Sequence, residues 1–155
     1  MPGFLDTLVV SPLSDGYTWY LDRQYRFESA LQPAGLVTVP QRFETDFASV
    51  PSPFWIIFPK WGTYGPAAVV HDWLYWEQEN RTREQADGVF REAMTALRVR
   101  PWKIWVLYHA VRWFGFLAWK ENASLRAKHV TRMNVGGARP TWKRRTLIPR
   151  ARWAA

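Results

Sequence analysis

Residues 82–97, TREQADGVFREAMTAL, constrain the fold more than any other stretch of the chain. Thr82 and Gln85 stand at the spacing of a capping box, in which a Thr hydroxyl and a Gln side chain three residues later each satisfy a backbone N–H at a helix start. Ala86, Val89, Phe90, Ala93 and Leu97 then recur at helical spacing and make one apolar stripe. Asp87 falls at the edge of that stripe, near its start.

Helical signals continue on both sides. Upstream, Gly62 and Gly65 precede Pro66, which suits the first helical position, and a helix over about 66–79 follows. It places His71 and Tyr75 one turn apart on one face. The link Glu79-Asn80-Arg81 is short, so these two helices are expected to be antiparallel neighbours. Downstream, residues 100–121 read as a third helix with Pro101 near its start, apolar nearly all round and broken by Lys103, His109, Arg112 and Lys120. Arg112 and His109 would lie at mid-depth in a bilayer, which argues against a membrane span; a buried or interface helix is expected, with an interfacial membrane helix as the alternative.

The N-terminal part has period two instead. Tyr17, Trp19, Leu21, Tyr25 and Phe27 alternate over YTWYLDRQYRF as a strand, or as a hairpin turning at Asp22 and Arg23. Residues 35–40, GLVTVP, read as a second strand ended by Pro40. Residues 42–59 carry three prolines and no clean period, and read as an ordered loop folded onto the core. The fold class is therefore α+β: a small core of about three helices with a short antiparallel sheet.

The 155 residues suffice for one core, and 48% hydrophobic content argues against disorder. The absence of Cys excludes disulfides and thiolate metal sites. The start, MPGFLDTLVV, lacks the basic and apolar regions of a signal peptide. Charge is uneven: residues 1–120 hold 12 basic and 12 acidic side chains, whereas 121–155 hold 9 basic and 1 acidic, the whole of the +8. Hence the expected organisation is a neutral domain over 1–121 and a basic, largely extended arm over 122–155. In that arm Trp142, Lys143, Arg144, Arg145, Arg150, Arg152 and Trp153 are the candidate partner-binding residues. Docking on an acidic protein surface is favoured, with nucleic acid or an anionic membrane as other possible contacts. The 11 Trp residues also suit a protein that buries surface on a partner.

The chemistry concentrates in VVHDWLYWEQ, residues 69–78. An imidazole takes a proton from water best when its second nitrogen donates to a carboxylate. Asp72 points about 100° away from His71 on a helix, toward a loop or a cation. Asp87, on the next helix, is the better orienter. One scheme makes His71 the base, Asp87 its orienter and Tyr75 a support. Asp72, with Asp46 as a further wall, then becomes a ligand of a hard cation, Ca2+ or Mg2+, because the donors are oxygens. The other makes His71 a core histidine satisfied by Asp46 or Asp87, a buried network that specifies packing without chemistry. Asp46 also suits the capping of its own turn.

RFETDFASVP, YGPAAVVHDWLY and REQADGVFREAM together resemble a family of small uncharacterised proteins encoded by tailed bacteriophages and prophages. The resemblance spans roughly residues 15–120 and rests on T-D-F-A-S-V-P, H-D-x-x-Y and A-D-x-x-F. It implies a phage origin; with the 11 Trp residues, the apolar third helix and the basic arm, the expected function is a virion-associated structural or assembly protein, made in the host cytoplasm and docked on other particle proteins. Locally, HDWLY is similar to the His–Asp helix of secreted and viral phospholipases A2. That similarity implies water activation by His71, cation binding by Asp72, and orientation of His71 by Asp87 with Tyr75 nearby. The alternative function is accordingly a phospholipase-like or envelope-degrading hydrolase carried by the phage.

Overall fold

The computed structural model describes residues 1–31, 35–47, 62–79, 81–137 and 139–142. Within them lie six strands: β1 (Gly3–Phe4), β2 (Val10–Pro12), β3 (Trp19–Leu21), β4 (Tyr25–Ser29), β5 (Gly35–Val39) and β6 (Glu44–Thr45). Three helices follow: α1 (Gly65–Glu77), α2 (Arg83–Ala96) and α3 (Pro101–Ala127). The strands form two antiparallel three-stranded sheets, ordered β1-β4-β5 and β2-β3-β6. The α+β reading holds, with two small sheets in place of one.

The period of two was legible, and the pairing was not. Tyr25 and Phe27 of β4 point inward and pair with Val39 and Val37 of β5, while Arg26 points out to a bidentate ion pair with Asp6 at 2.8 Å. Leu21 is buried on the same side, so the alternation runs through from β3 to β4. Yet these two strands enter different sheets, not one hairpin. The chain at Leu21–Asp22 is gripped from both sides: Asp22 N–H donates to Val9 O, and Arg42 N–H donates to Leu21 O. Ser11 Oγ adds a bond to the Asp22 carboxylate at 2.7 Å. Those bonds hold β3 between β2 and β6, and β4 must leave to find another partner.

α1 is the central helix. Ala67, Ala68, Val69, Val70, Leu74 and Trp76 are all buried, so it packs on every side rather than along one stripe. α2 starts at the expected capping box, with Thr82 and Gln85 bonded reciprocally, and buries Ala86, Val89, Phe90, Ala93 and Met94. Both α2 and α3 end in a Schellman turn. Arg98 (φ 54°) and His129 (φ 56°) occupy the left-handed position, and the next residues, Val99 and Val130, donate back to Met94 O and Leu125 O. His129 is thereby a helix-terminating residue.

α3 departs most from expectation. Its 27 residues, about 40 Å of helix, run past the anticipated end at 121. Only Leu107, Ala110, Asn122 and Leu125 are buried along it. Trp102, Trp105, Trp113, Phe116 and Leu117 are exposed, and His109 stacks between Trp105 and Trp113. No helix among the described residues is long and apolar enough to cross a membrane.

The expected boundary at 121/122 falls inside α3, and residues 130–137 and 139–142 return to the core. Met133 bridges Phe43 beside β6, and Asn134 N–H donates to Arg42 O. The buried Glu44 carboxylate accepts from Asn134 Nδ2 (3.1 Å), Thr141 N (2.8 Å) and Thr141 Oγ1 (3.0 Å). Residues 48–61, the greater part of the expected ordered loop, lie outside the described residues, as do Lys143, Arg144, Arg145, Arg150, Arg152 and Trp153 of the expected basic arm.

Candidate functional site

α1 and α2 lie side by side, and their facing positions bring His71, Tyr75 and Asp87 together. His71 Nε2 is 2.9 Å from Asp87 Oδ1, and Tyr75 Oη donates to the same oxygen at 2.7 Å. α3 supplies the remainder: Arg112 Nη1 donates to Asp87 Oδ2 at 2.9 Å, with Arg83 Nη1 of α2 at 3.3 Å. Asp87 is fully buried and is the point where the three helices are tied.

Burial pushes the Asp87 pKa up, but the hydrogen bond and charge of His71 and the bonds from Tyr75 and Arg112 outweigh it, and the carboxyl is held below the ordinary range. An ionised carboxylate only accepts, so Nε2 of His71 is the nitrogen that carries a proton toward Asp87. Nδ1 makes no hydrogen bond among the described residues. Tyr75 is pushed upward, first by burial and then by the Asp87 charge, and stays a protonated donor. The imidazole is held between the rings of Tyr75 (4.1 Å) and Phe90 (4.6 Å).

Gly115 of α3 closes over this cluster. A Cβ there would lie 2.3 Å from Tyr75 Oη, so any side chain at 115 must push the phenol off Asp87. The helix accepts the propensity cost of a central Gly, about 1 kcal/mol, for that close approach.

Asp72 turns away from His71 toward β6, as the helical angle required. Thr45 Oγ1 donates to its Oδ2 at 2.5 Å and accepts from Phe47 N–H at 3.1 Å. Asp46 and Asp72 line one cavity of about 150 Å3 together with His71 and Tyr75. The cavity has two characters. Phe90, Leu107, Val111, Phe114 and Ala118 give it apolar lining, while Asp46, Asp72, Glu121, Asn122 and Arg132 add polar and charged groups. Such a mixture fits a small amphipathic group or several waters.

Among the described residues, no group of three or more His, Asp or Glu side chains is arranged to hold a metal ion. In the turn before α1, Gly62 O accepts from Gly65 N and Tyr64 O from Ala68 N.

Sequence reasoning had named His71, Asp72, Tyr75, Asp87 and Asp46, and all five line this cavity or bond to residues that do. It missed Arg83, Arg112, Gly115, Glu44 and Arg132. Arg83 was findable, standing four residues before Asp87 on one helix. Arg112 had shown only as a break in an apolar helix. Trp142, a candidate partner-binding residue, has the Arg132 Cζ 4.0 Å from its ring centroid.

A family model described as "Protein of unknown function (DUF1353)" matches residues 19–111, which takes in both sheets' principal strands, α1, α2 and the start of α3. No curated protein and no solved structure matches the chain.

Proposed function

We propose that this chain, which belongs to the DUF1353 family, carries a hydrolytic centre in which His71 is the general base. The observation that carries the reading is that His71 engages the buried Asp87 through Nε2 while lining a cavity with an apolar wall. With Nε2 protonated, Nδ1 takes a proton from water as the water oxygen bonds to the acyl carbon of the substrate. The same proton then passes to the leaving oxygen, and Asp87 remains ionised throughout. Arg83 and Arg112 share Asp87, so the carboxylate supplies orientation of the ring more than compensation of the imidazolium charge. The apolar wall suits an acyl chain, which makes phospholipid the first substrate class and cell-wall polymer the second. Under this reading Asp72, with Asp46, is where a Ca2+ or Mg2+ would sit, and a chelator arm in the assay decides that part.

The test is product release from phospholipid vesicles and from cell-wall preparations, with His71→Gln beside the wild type. Turnover by the wild type is expected to fall at least about a hundredfold in the variant, with circular dichroism unchanged. Wild-type protein inert on both substrates, or a fully active variant, sinks the proposal.

A second reading, a structural or assembly component of a phage particle, is favoured by one separate observation. The exposed row Trp102, Trp105, Trp113 and Phe116 on α3 is a large apolar surface of the kind that marks a partner interface. Particles can carry enzymes, so the two readings are compatible. Co-sedimentation with purified particles decides the second, and persistent recovery of the free chain alone would count against it.

A further inference from the structure

Arg132 lines the His71 cavity, and nothing in the hydrolytic scheme uses it. It is 4% exposed. Its Nε and Nη2 are shielded from solvent and have no hydrogen-bond partner among the described residues. It makes no salt bridge among the described residues, although Asp46, Asp72 and Glu121 line the same cavity. What surrounds it is aromatic: its Cζ lies 4.0 Å from the Trp142 ring centroid, 5.1 Å from Phe43 and 5.9 Å from Trp76.

Those rings attract the charge, but a ring face does not replace the oxygen acceptors that a guanidinium N–H loses on leaving water. A permanent cation with two unmet donors out of solvent is costly unless an acceptor arrives. Nε and Nη2 form one edge of the guanidinium, two parallel N–H bonds spaced for the two oxygens of a single carboxylate or phosphate. The backbone around Arg132 fixes it in place: its carbonyl accepts from Glu44 N–H at 2.8 Å, and Asn134, two residues on, is tied to Glu44.

We infer that Arg132 is the oxyanion-binding residue of this cavity, taking a carboxylate or phosphate oxygen pair on its Nε–Nη2 edge. The three carboxylates lining the same space set the charge of the ligand. A dianion would meet them as well as the single guanidinium, so a monoanion, a carboxylate or a phosphodiester, is selected. The same cavity is lined by Phe90, Leu107 and Val111, so the ligand we infer is amphipathic, with its anionic group at Arg132 and its chain against these apolar side chains. This deepens the hydrolytic reading and rests on it for the ligand's place beside His71. It does not need turnover, however, so the two fail separately.

The experiment is calorimetric titration of the full chain with four probes: octanoate, dihexanoyl phosphatidylglycerol, inorganic phosphate and the neutral octyl glucoside. Each is repeated on Arg132→Met, which keeps an unbranched side chain between the rings, and on Arg132→Lys, which keeps the charge without the fork. Arg132-dependent binding of octanoate or the phosphatidylglycerol, weakened at least tenfold in the Met variant and less in the Lys variant, is expected and assigns a lipid-like source. Arg132-dependent binding of inorganic phosphate with no gain from a chain also upholds the anion site, with a free anion as its source. Failure of every anion to bind the wild type, equal binding of octyl glucoside, or undiminished binding to both variants overturns the inference.

Discussion

Replacing Asp87 by Ala is expected to lower the unfolding free energy by about 3–5 kcal/mol, the cost of removing one partner from a buried ionic cluster. The carboxylate accepts from four side chains on three helices, so its loss strands donors on α1, α2 and α3 together. Arg83 and Arg112 are partly exposed and can turn to water. His71 and Tyr75 are buried and cannot, so most of the cost falls on them. Asn at this position is no substitute. Its amide nitrogen must face either the two guanidiniums or the His71–Tyr75 pair, and all of these are donors to the present carboxylate.

The same residue gives the stability a pH dependence of known sign. The Asp87 pKa is depressed in the folded state. As pH falls, the unfolded chain therefore takes up the proton first. The contribution is complete above about pH 4, the ordinary carboxylate value, and drains away as pH drops further through the folded-state pKa. Urea unfolding of the wild type and Asp87→Asn from pH 7 to pH 2 is the measurement. The gap between them should be widest at neutral pH and close in acid. A gap under about 1 kcal/mol at pH 7 would show that Asp87 does not tie the helices.

Glu44→Ala is expected to cost about 2–4 kcal/mol, from the loss of charged hydrogen bonds and the stranding of buried donors. Its effect should be local in a way that the Asp87 effect is not. Glu44 is fully buried and holds the returning segment through Asn134 and both donors of Thr141. Hydrogen exchange should show the Thr141 amide losing protection in the variant while the α2 amides keep theirs. Unchanged protection at Thr141 would mean that this segment is held by other contacts. Arg132 and Trp142 belong to the same segment, so the variant should also weaken Arg132-dependent anion binding.

The local signals were all present in the sequence. The capping box at Thr82 and Gln85, the stripe on α2, the Pro starts of α1 and α3 and the alternation through Tyr25 and Phe27 depend on neighbours a few residues away. The same was true of His71 and Tyr75, fixed on one face by the helical period, and of Asp72, fixed on another. Even the His71–Asp87 pairing could be anticipated, because a three-residue link leaves two helices little choice but to lie antiparallel.

Tertiary structure decided whatever depended on distant segments meeting. Leu21 and Asp22 are drawn off by Val9 and Arg42, so a continuous alternation was split between two sheets. Arg112 reaches Asp87 across 25 residues, and Asn134 reaches Glu44 across 90. No periodicity encodes those separations. Arg132 and Trp142 read as members of a basic arm because composition registers charge but not burial, and only folding put that guanidinium between aromatic rings in the lining of a cavity. α3 read as a buried or interface helix from its apolar content, and the sequence could not say which of its faces would be covered. Its exposed tryptophans show that an apolar helix is buried only where the rest of the chain has surface to cover it.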